Sequence, residues 1–211
     1  MHHPVRPAIL LAAPALLATL AGCGGEPATP AAVSTAPVIV PGRPGEQART
    51  FAPGETVTPV PAPSANAADV RFVQDMILHH RQAIDMSLLA PSRAASDAVK
   101  RLASRINDAQ ELEVGMMTRW LREQGQRVPG HHADHRGMPG MATPEQLARL
   151  RAATGADFDR LFIDLMINHH LGALTMANQV LTTGSHTTIQ QFATDITVEQ
   201  AAEIRRMRQL R

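Results

Sequence analysis

The second part of this chain repeats an earlier part at a fixed offset of 90, so that what stands at 79 stands again at 169. Phe72 matches Phe162, Met76 matches Met166, Ile77 matches Ile167, and the pair His79–His80 matches His169–His170. Ala83 and Met86 recur as Ala173 and Met176. A second stretch obeys the same offset: Leu102 with Phe192, Ala103 with Ala193, Ile106 with Ile196, Gln110 with Gln200, Glu113 with Glu203, and Met117 with Met207. The apolar positions recur with the 3.6-residue period of amphipathic helices. Asp69–Leu89, Ser96–Gln124, Asp157–Leu181 and Thr187–Leu210 therefore read as four helices, interrupted by Pro91, by Gly125 with Pro129, and by Gly184. A helix hairpin written twice folds most simply as an all-α four-helix bundle. Its hairpins span 69–124 and 157–211, and a long crossover spans 125–156. A short extra helix is expected at Thr143, where Thr-Pro-Glu-Gln supplies an N-cap, a proline at the first position and a capping-box glutamine, Gln146.

The residues ahead of the repeat read differently. Met1–Arg6 are a short basic start, and Ala8–Leu20 an apolar run too short to span a bilayer comfortably. The run ends in Leu20-Ala21-Gly22-Cys23, which resembles the bacterial lipoprotein box. That resemblance implies an export signal over 1–22, cleavage before Cys23 and lipidation of its sulfur, so that the protein is exported and anchored on the outer side of the cytoplasmic membrane or in the cell envelope. Residues 24–68 hold nine of the sixteen prolines, show no helical or alternating period, and read with Cys23 as a lipidated, disordered tether over 23–68.

Composition removes several functions. A formal net charge of +1 offers no electrostatic case for nucleic acid, and aromatics at 3% offer no stacking platform. One cysteine excludes an intramolecular disulfide, a cysteine-rich zinc module and a redox CxxC pair. Ten histidines and ten methionines are the unusual counts, and both cluster. On a helix, Met76, His79, Ala83 and Met86 fall within roughly 80° of arc, with His80 beside them. Met166, His169, Ala173 and Met176 repeat the stripe, with His170 adjacent. Glu113 and Glu203 lie on the inward side of their helices, where a carboxylate needs an imidazole N–H or a metal as partner.

A methionine stripe is commonly core filler, and a lone buried histidine is commonly a hydrogen-bonding core residue. Two His-His pairs, each with methionine at matched places, point instead to metal ligands on facing helices. Thioether sulfur suits Cu(I) and imidazole suits both Cu(I) and Cu(II), so copper is the expected ion, with Cu(I) favoured. No Glu-x-x-His of a di-iron bundle occurs, and zinc has no use for so many methionines. The crossover adds His131, His132, His135, Met138 and Met141 as auxiliary loop candidates, equally readable as a solvated polar loop. His186 reads as structural.

Phe72–Ser87, Phe158–Ala177, Gly137–Gly155 and Gln110–Leu121 together resemble the family catalogued as domain of unknown function 305, over about Asp69–Arg211. The resemblance implies a ferritin-like four-helix bundle, exported by bacteria, that binds copper through His and Met as a metallochaperone. It places the ligands at His79, His80, Met86, His169, His170 and Met176, with Met76 and Met166 as outlying candidates. The last helix departs from the pattern: it reads EIRRMRQLR where the first half has EVGMMTRWL. The expected function is an extracytoplasmic copper-binding protein, not an enzyme, that sequesters, buffers or transfers the ion to or from a protein not identified by the sequence. A ferritin-like metal-dependent oxidase and a non-metal structural module of the envelope are the alternatives.

Overall fold

A computed structural model describes residues 36–40, 47–55, 63–130 and 137–211. The chain divides into two compact units, Met1–Pro59 and Val60–Arg211. In the first, β1 (Val38–Val40) pairs antiparallel with β2 (Arg49–Phe51), in the register Val38↔Phe51, Ile39↔Thr50 and Val40↔Arg49. Part of the segment read as a structureless spacer is thus a small two-stranded sheet. Its cause is the β-branched run Val38-Ile39-Val40 facing Thr50 and Phe51, a side-chain set that fits a pleated surface. The export signal and Cys23 lie outside the described residues. No helix among the described residues is long and apolar enough to cross a membrane.

The second unit is the four-helix bundle built from a duplicated hairpin. α1 (Ala67–Ser87) and α3 (Asp97–Glu123) form the first hairpin, linked through the single turn α2 (Ala90–Arg93). α4 (Pro144–Ala152) lies in the crossover, and α5 (Gly155–Thr183) and α6 (Thr187–Gln209) form the second hairpin. Each start has a local chemical reason. Asn66 accepts from the Ala68 and Asp69 amides while Asp69 returns a bond to the Asn66 amide, a full capping box. Thr143 and Gln146 form the capping box expected of them ahead of Pro144. Ser96 caps α3, and the His186 imidazole accepts from the Thr188 amide at the start of α6.

A pair of repeat-equivalent aspartates locks the hairpins together. Asp69, fully buried on α1, accepts from the Ser185 amide and hydroxyl and from the His186 amide, all in the turn before α6. Asp159 on α5 accepts from the Ala95 and Ser96 amides in the turn before α3. Each hairpin's first helix thereby satisfies amide N–H groups at the start of the other hairpin's second helix, where no intrahelical partner exists.

α1 and α5 pack against each other inside the bundle, each against its own hairpin partner as well. The core they share is not continuous. One apolar half gathers Met86, Leu102, Ile106, Phe158, Phe162, Met166 and Met207. The other gathers Phe72, Met76, Met117, Trp120, Met176, Ile189 and Ile196. Along every helix, the residues between these two sets are polar and buried: His79 and His80 on α1, Gln110 on α3, His169 and His170 on α5, and Gln200 and Glu203 on α6. Glu113 holds the corresponding place on α3.

Candidate metal centre

A buried polar layer is tolerated when its groups are paired, and here the pairing is selective. His80 Nε2 lies 2.6 Å from Glu113 Oε2, and His170 Nε2 lies 2.6 Å from Glu203 Oε2. His79 Nε2 lies 3.0 Å from the carbonyl oxygen of Pro139 in the crossover. Carboxylate and carbonyl oxygens only accept, so each of these Nε2 atoms is the donor. A neutral ring that donates from Nε2 keeps a lone pair on Nδ1. None of the four Nδ1 atoms, nor His169 Nε2, has a hydrogen bond of normal geometry. Five ring nitrogens are therefore buried without a partner. Each costs on the order of 1–3 kcal/mol in a metal-free protein.

The central pair is His79 and His169, one from each hairpin, with ring centroids 3.8 Å apart and planes at 38°. Two imidazolium ions cannot share that spacing out of water. Burial, then the charge of His80, pushes His79 down to about 3, against the favourable Pro139 contact. Burial, followed by His79, His170 and His80, holds His169 well below the ordinary imidazole value. Both rings are thus neutral across physiological pH, the form that ligates a metal. The carboxylate behind His80 and His170 is the arrangement that orients metal-ligating histidines and raises their basicity.

The methionines flank the layer in a regular way. Met76 and Met176 lie in the Trp120 half, and Met86 and Met166 in the Phe158 half, so α1 and α5 each offer one thioether to either side; Met117 of α3 joins the first half and Met207 of α6 the second. Among the described residues, no group of three or more His, Cys, Asp or Glu side chains is placed to hold one ion. Of the auxiliary loop candidates, His131, His132 and His135 lie outside the described residues. Met138 is half-buried against the Trp120 half, and Met141 is half-buried. His186 makes an edge contact with Trp120 at 5.4 Å besides its capping bond, a structural role.

Three features escape sequence reasoning. Gln110 and Gln200 are buried with all four amide atoms unpartnered, and only their repeat equivalence marked them. Glu199 is half-buried near Glu113, and burial followed by the charges of Glu113 and Glu203 raises its carboxyl above the usual range. Its counterpart in the first hairpin is Ala109, so the repeat carried no signal for it. The Pro139 carbonyl is backbone, which no residue pattern reveals.

The chain matches the model of the family described as domain of unknown function (DUF305) over residues 69–211. It is similar to a solved DUF305 fragment from Deinococcus radiodurans, at 32% identity and a TM-score of 0.64, covering 71% of this chain and 97% of that one. A DUF305 protein from Streptomyces coelicolor, described as a candidate secreted protein, gives 31% identity and a TM-score of 0.60, covering 66% and 89%. CopM in its Cu(II)-bound form gives 35% identity and a TM-score of 0.59, covering 67% and 93%; CopM is also known in Cu(I)-bound and silver-bound forms. No curated protein matches the chain.

Proposed function

The chain belongs to the DUF305 family, and from that premise we propose that it is a copper-binding protein that sequesters, buffers or transfers copper outside the cytoplasm. The observation that carries this reading is the layer of five unpartnered imidazole nitrogens between two apolar halves, each bearing paired thioethers. The copper- and silver-bound forms of CopM support it at the level of the family. Silver and Cu(I) are soft ions that share a preference for thioether sulfur. Under this proposal His79, His80, His169 and His170 supply nitrogen, and Met86, Met176, Met76 and Met166 supply sulfur. Glu113 and Glu203 act behind His80 and His170 as orienting acceptors. Cu(I) is the favoured ion, because a mixed imidazole–thioether set with few oxygen donors suits it.

The role proposed is binding and not turnover of a substrate, with copper as cargo. Export of the protein, and a lipid anchor at Cys23, rest on the lipoprotein-like sequence 20–23 and complete the proposal: copper is held at the outer side of the membrane or in the envelope. The test is a titration with Cu(I), kept reduced by ascorbate and competed with a chromophoric chelator. Uptake that survives competition in the wild type, and vanishes when His79, His80, His169 and His170 are replaced by alanine in a still-helical protein, is the expected result. Equal uptake by both proteins would remove the intrabundle site.

A further inference from the structure

The two central imidazoles are equivalent in the repeat but not in their surroundings. One stretch of the crossover, Met138–Ala142, is seated on α1 and α5 beside them. Gln82 grips it at one end, its amide donating to the Ala142 carbonyl at 3.1 Å and accepting from the Ala142 amide at 2.7 Å. Asn168 Nδ2 donates to the Gly140 carbonyl at 3.2 Å. Gly172 lets the stretch lie directly on α5: a Cβ there would stand 2.0 Å from the Pro139 oxygen and 2.7 Å from Gly140 Cα. Gly140 itself has φ of +76°, a conformation side chains disfavour, and a Cβ on it would meet the Asn168 carbonyl at 2.5 Å. The result of this seating is the Pro139 carbonyl on His79 Nε2. Neither nitrogen of His169 makes a hydrogen bond of normal geometry, the His79 backbone being a loose polar neighbour.

Gln82 and Gly172 occupy equivalent positions in the two hairpins, 82 and 172. One hairpin supplies a hook at that place and the other supplies bare backbone. We propose that Gln82 and Gly172 are positioning residues: they seat the Pro139 carbonyl on His79, which fixes the Nε2–H tautomer, commits Nδ1 to the metal and ties release of the ion to unseating of the strap. The role in retaining the ion rests on the copper reading above, whereas the tautomer does not. A histidine that donates the N–H of its non-ligating nitrogen to a fixed acceptor is a better-oriented and more basic ligand, and loss of such an acceptor weakens metal affinity about 10- to 100-fold.

The test uses the whole protein with nitrogen-15-labelled histidine. In the metal-free wild type at neutral pH, long-range proton–nitrogen correlations should show His79 as the Nε2–H tautomer alone. Gly172→Ala places a methyl where the Pro139 oxygen lies and should give a mixture of tautomers. Gln82→Ala, which loses only the grip on Ala142, should move the same signals less and serves as the second variant if Gly172→Ala folds poorly. With Cu(I) loaded, transfer to a chromophoric chelator should be at least about tenfold faster for Gly172→Ala. An unchanged tautomer and an unchanged transfer rate in folded variants would overturn the proposal. If the wild type takes up no Cu(I), the copper reading fails, and the tautomer measurement still decides the positioning role.

Discussion

In the first hairpin, Asp69 is sealed against the turn before α6, and Trp120 closes the end of α3, buried among Phe72, Met117 and Ile189. In the second, the equivalent Asp159 is only half-buried, and Leu210, the counterpart of Trp120, stands 40% exposed just past α6. Between these ends the hairpins agree closely. Both give a central imidazole, a carboxylate-backed imidazole at 2.6 Å, a buried glutamine and a thioether on either side. The two copies match where they face each other across the buried polar layer. They differ where each copy meets a unique partner, the crossover at Gln82 and Gly172 and the α5–α6 turn at Trp120. The comparison teaches that the site belongs to the symmetric part of the fold, and its closure to the asymmetric part.

The widest separation between the copies is expected in acid, without metal. The unfolded chain protonates His79 near 6.5, whereas burial holds it neutral in the folded state down to about 3. The unfolded state therefore binds more protons below 6.5, so stability is full above that pH and falls as pH drops toward 3. The loss from this one residue is on the order of 5 kcal/mol across the window. His169, also held well below the ordinary value, chiefly by burial, and with no hydrogen bond of normal geometry on either nitrogen, adds to it. Denaturant melts of His169→Leu should be flatter with pH than those of His79→Leu, and more stable at neutral pH than wild type by about 1–3 kcal/mol. Equal pH slopes for the wild type and both variants would contradict the neutral central pair.

Next come the hairpin ends. Trp120→Ala should cost about 3–5 kcal/mol in chemical denaturation, while Leu210→Ala should stay within about 0.5 kcal/mol. Similar costs would mean that the second copy closes as the first does. The aspartate locks should differ by less. Asp69→Ala strips three donors in the turn before α6, at about 3 kcal/mol, and Asp159→Ala strips two exposed or half-buried ones, at about 1 kcal/mol. Reversal of that order would break the assignment of the tighter lock to α1.

Much of this was legible in the residues, and the limits have physical causes. The repeat gave both hairpins and their inward faces, because a helix that buries one stripe must repeat apolar residues at 3.6. It also gave the four histidines, since the layer must be polar in both copies. The aspartate locks were in the repeat, 69 and 159, yet their partners lie in the opposite hairpin and no local pattern announces a bond across 116 residues. Glu199 has its carboxyl raised by burial first and then by Glu113 and Glu203, and neither its burial nor the Glu113 charge from another helix can be read from α6 alone. The Pro139 acceptor is a carbonyl, present at every residue and informative at none. The β1–β2 sheet was missed because its three-residue strands sit in a proline-rich stretch too short to show alternation.

The smallest difference concerns the two carboxylates. Glu203 is the more enclosed, its side chain 8% exposed against 15% for Glu113. Glu113→Gln and Glu203→Gln should each weaken copper binding about 10- to 100-fold, with the larger loss at Glu203. A glutamine change at either site that leaves affinity intact would detach that carboxylate from the proposed copper site.

The central claim is that imidazole from both hairpins and thioether from the flanking halves hold one kind of ion. X-ray absorption at the copper edge of the Cu(I)-loaded protein tests it most directly. The account predicts nitrogen and sulfur together in the coordination shell, with the sulfur contribution lowered when Met76, Met86, Met166 and Met176 are replaced by leucine. A shell of nitrogen and oxygen alone, unchanged by those replacements, would contradict it.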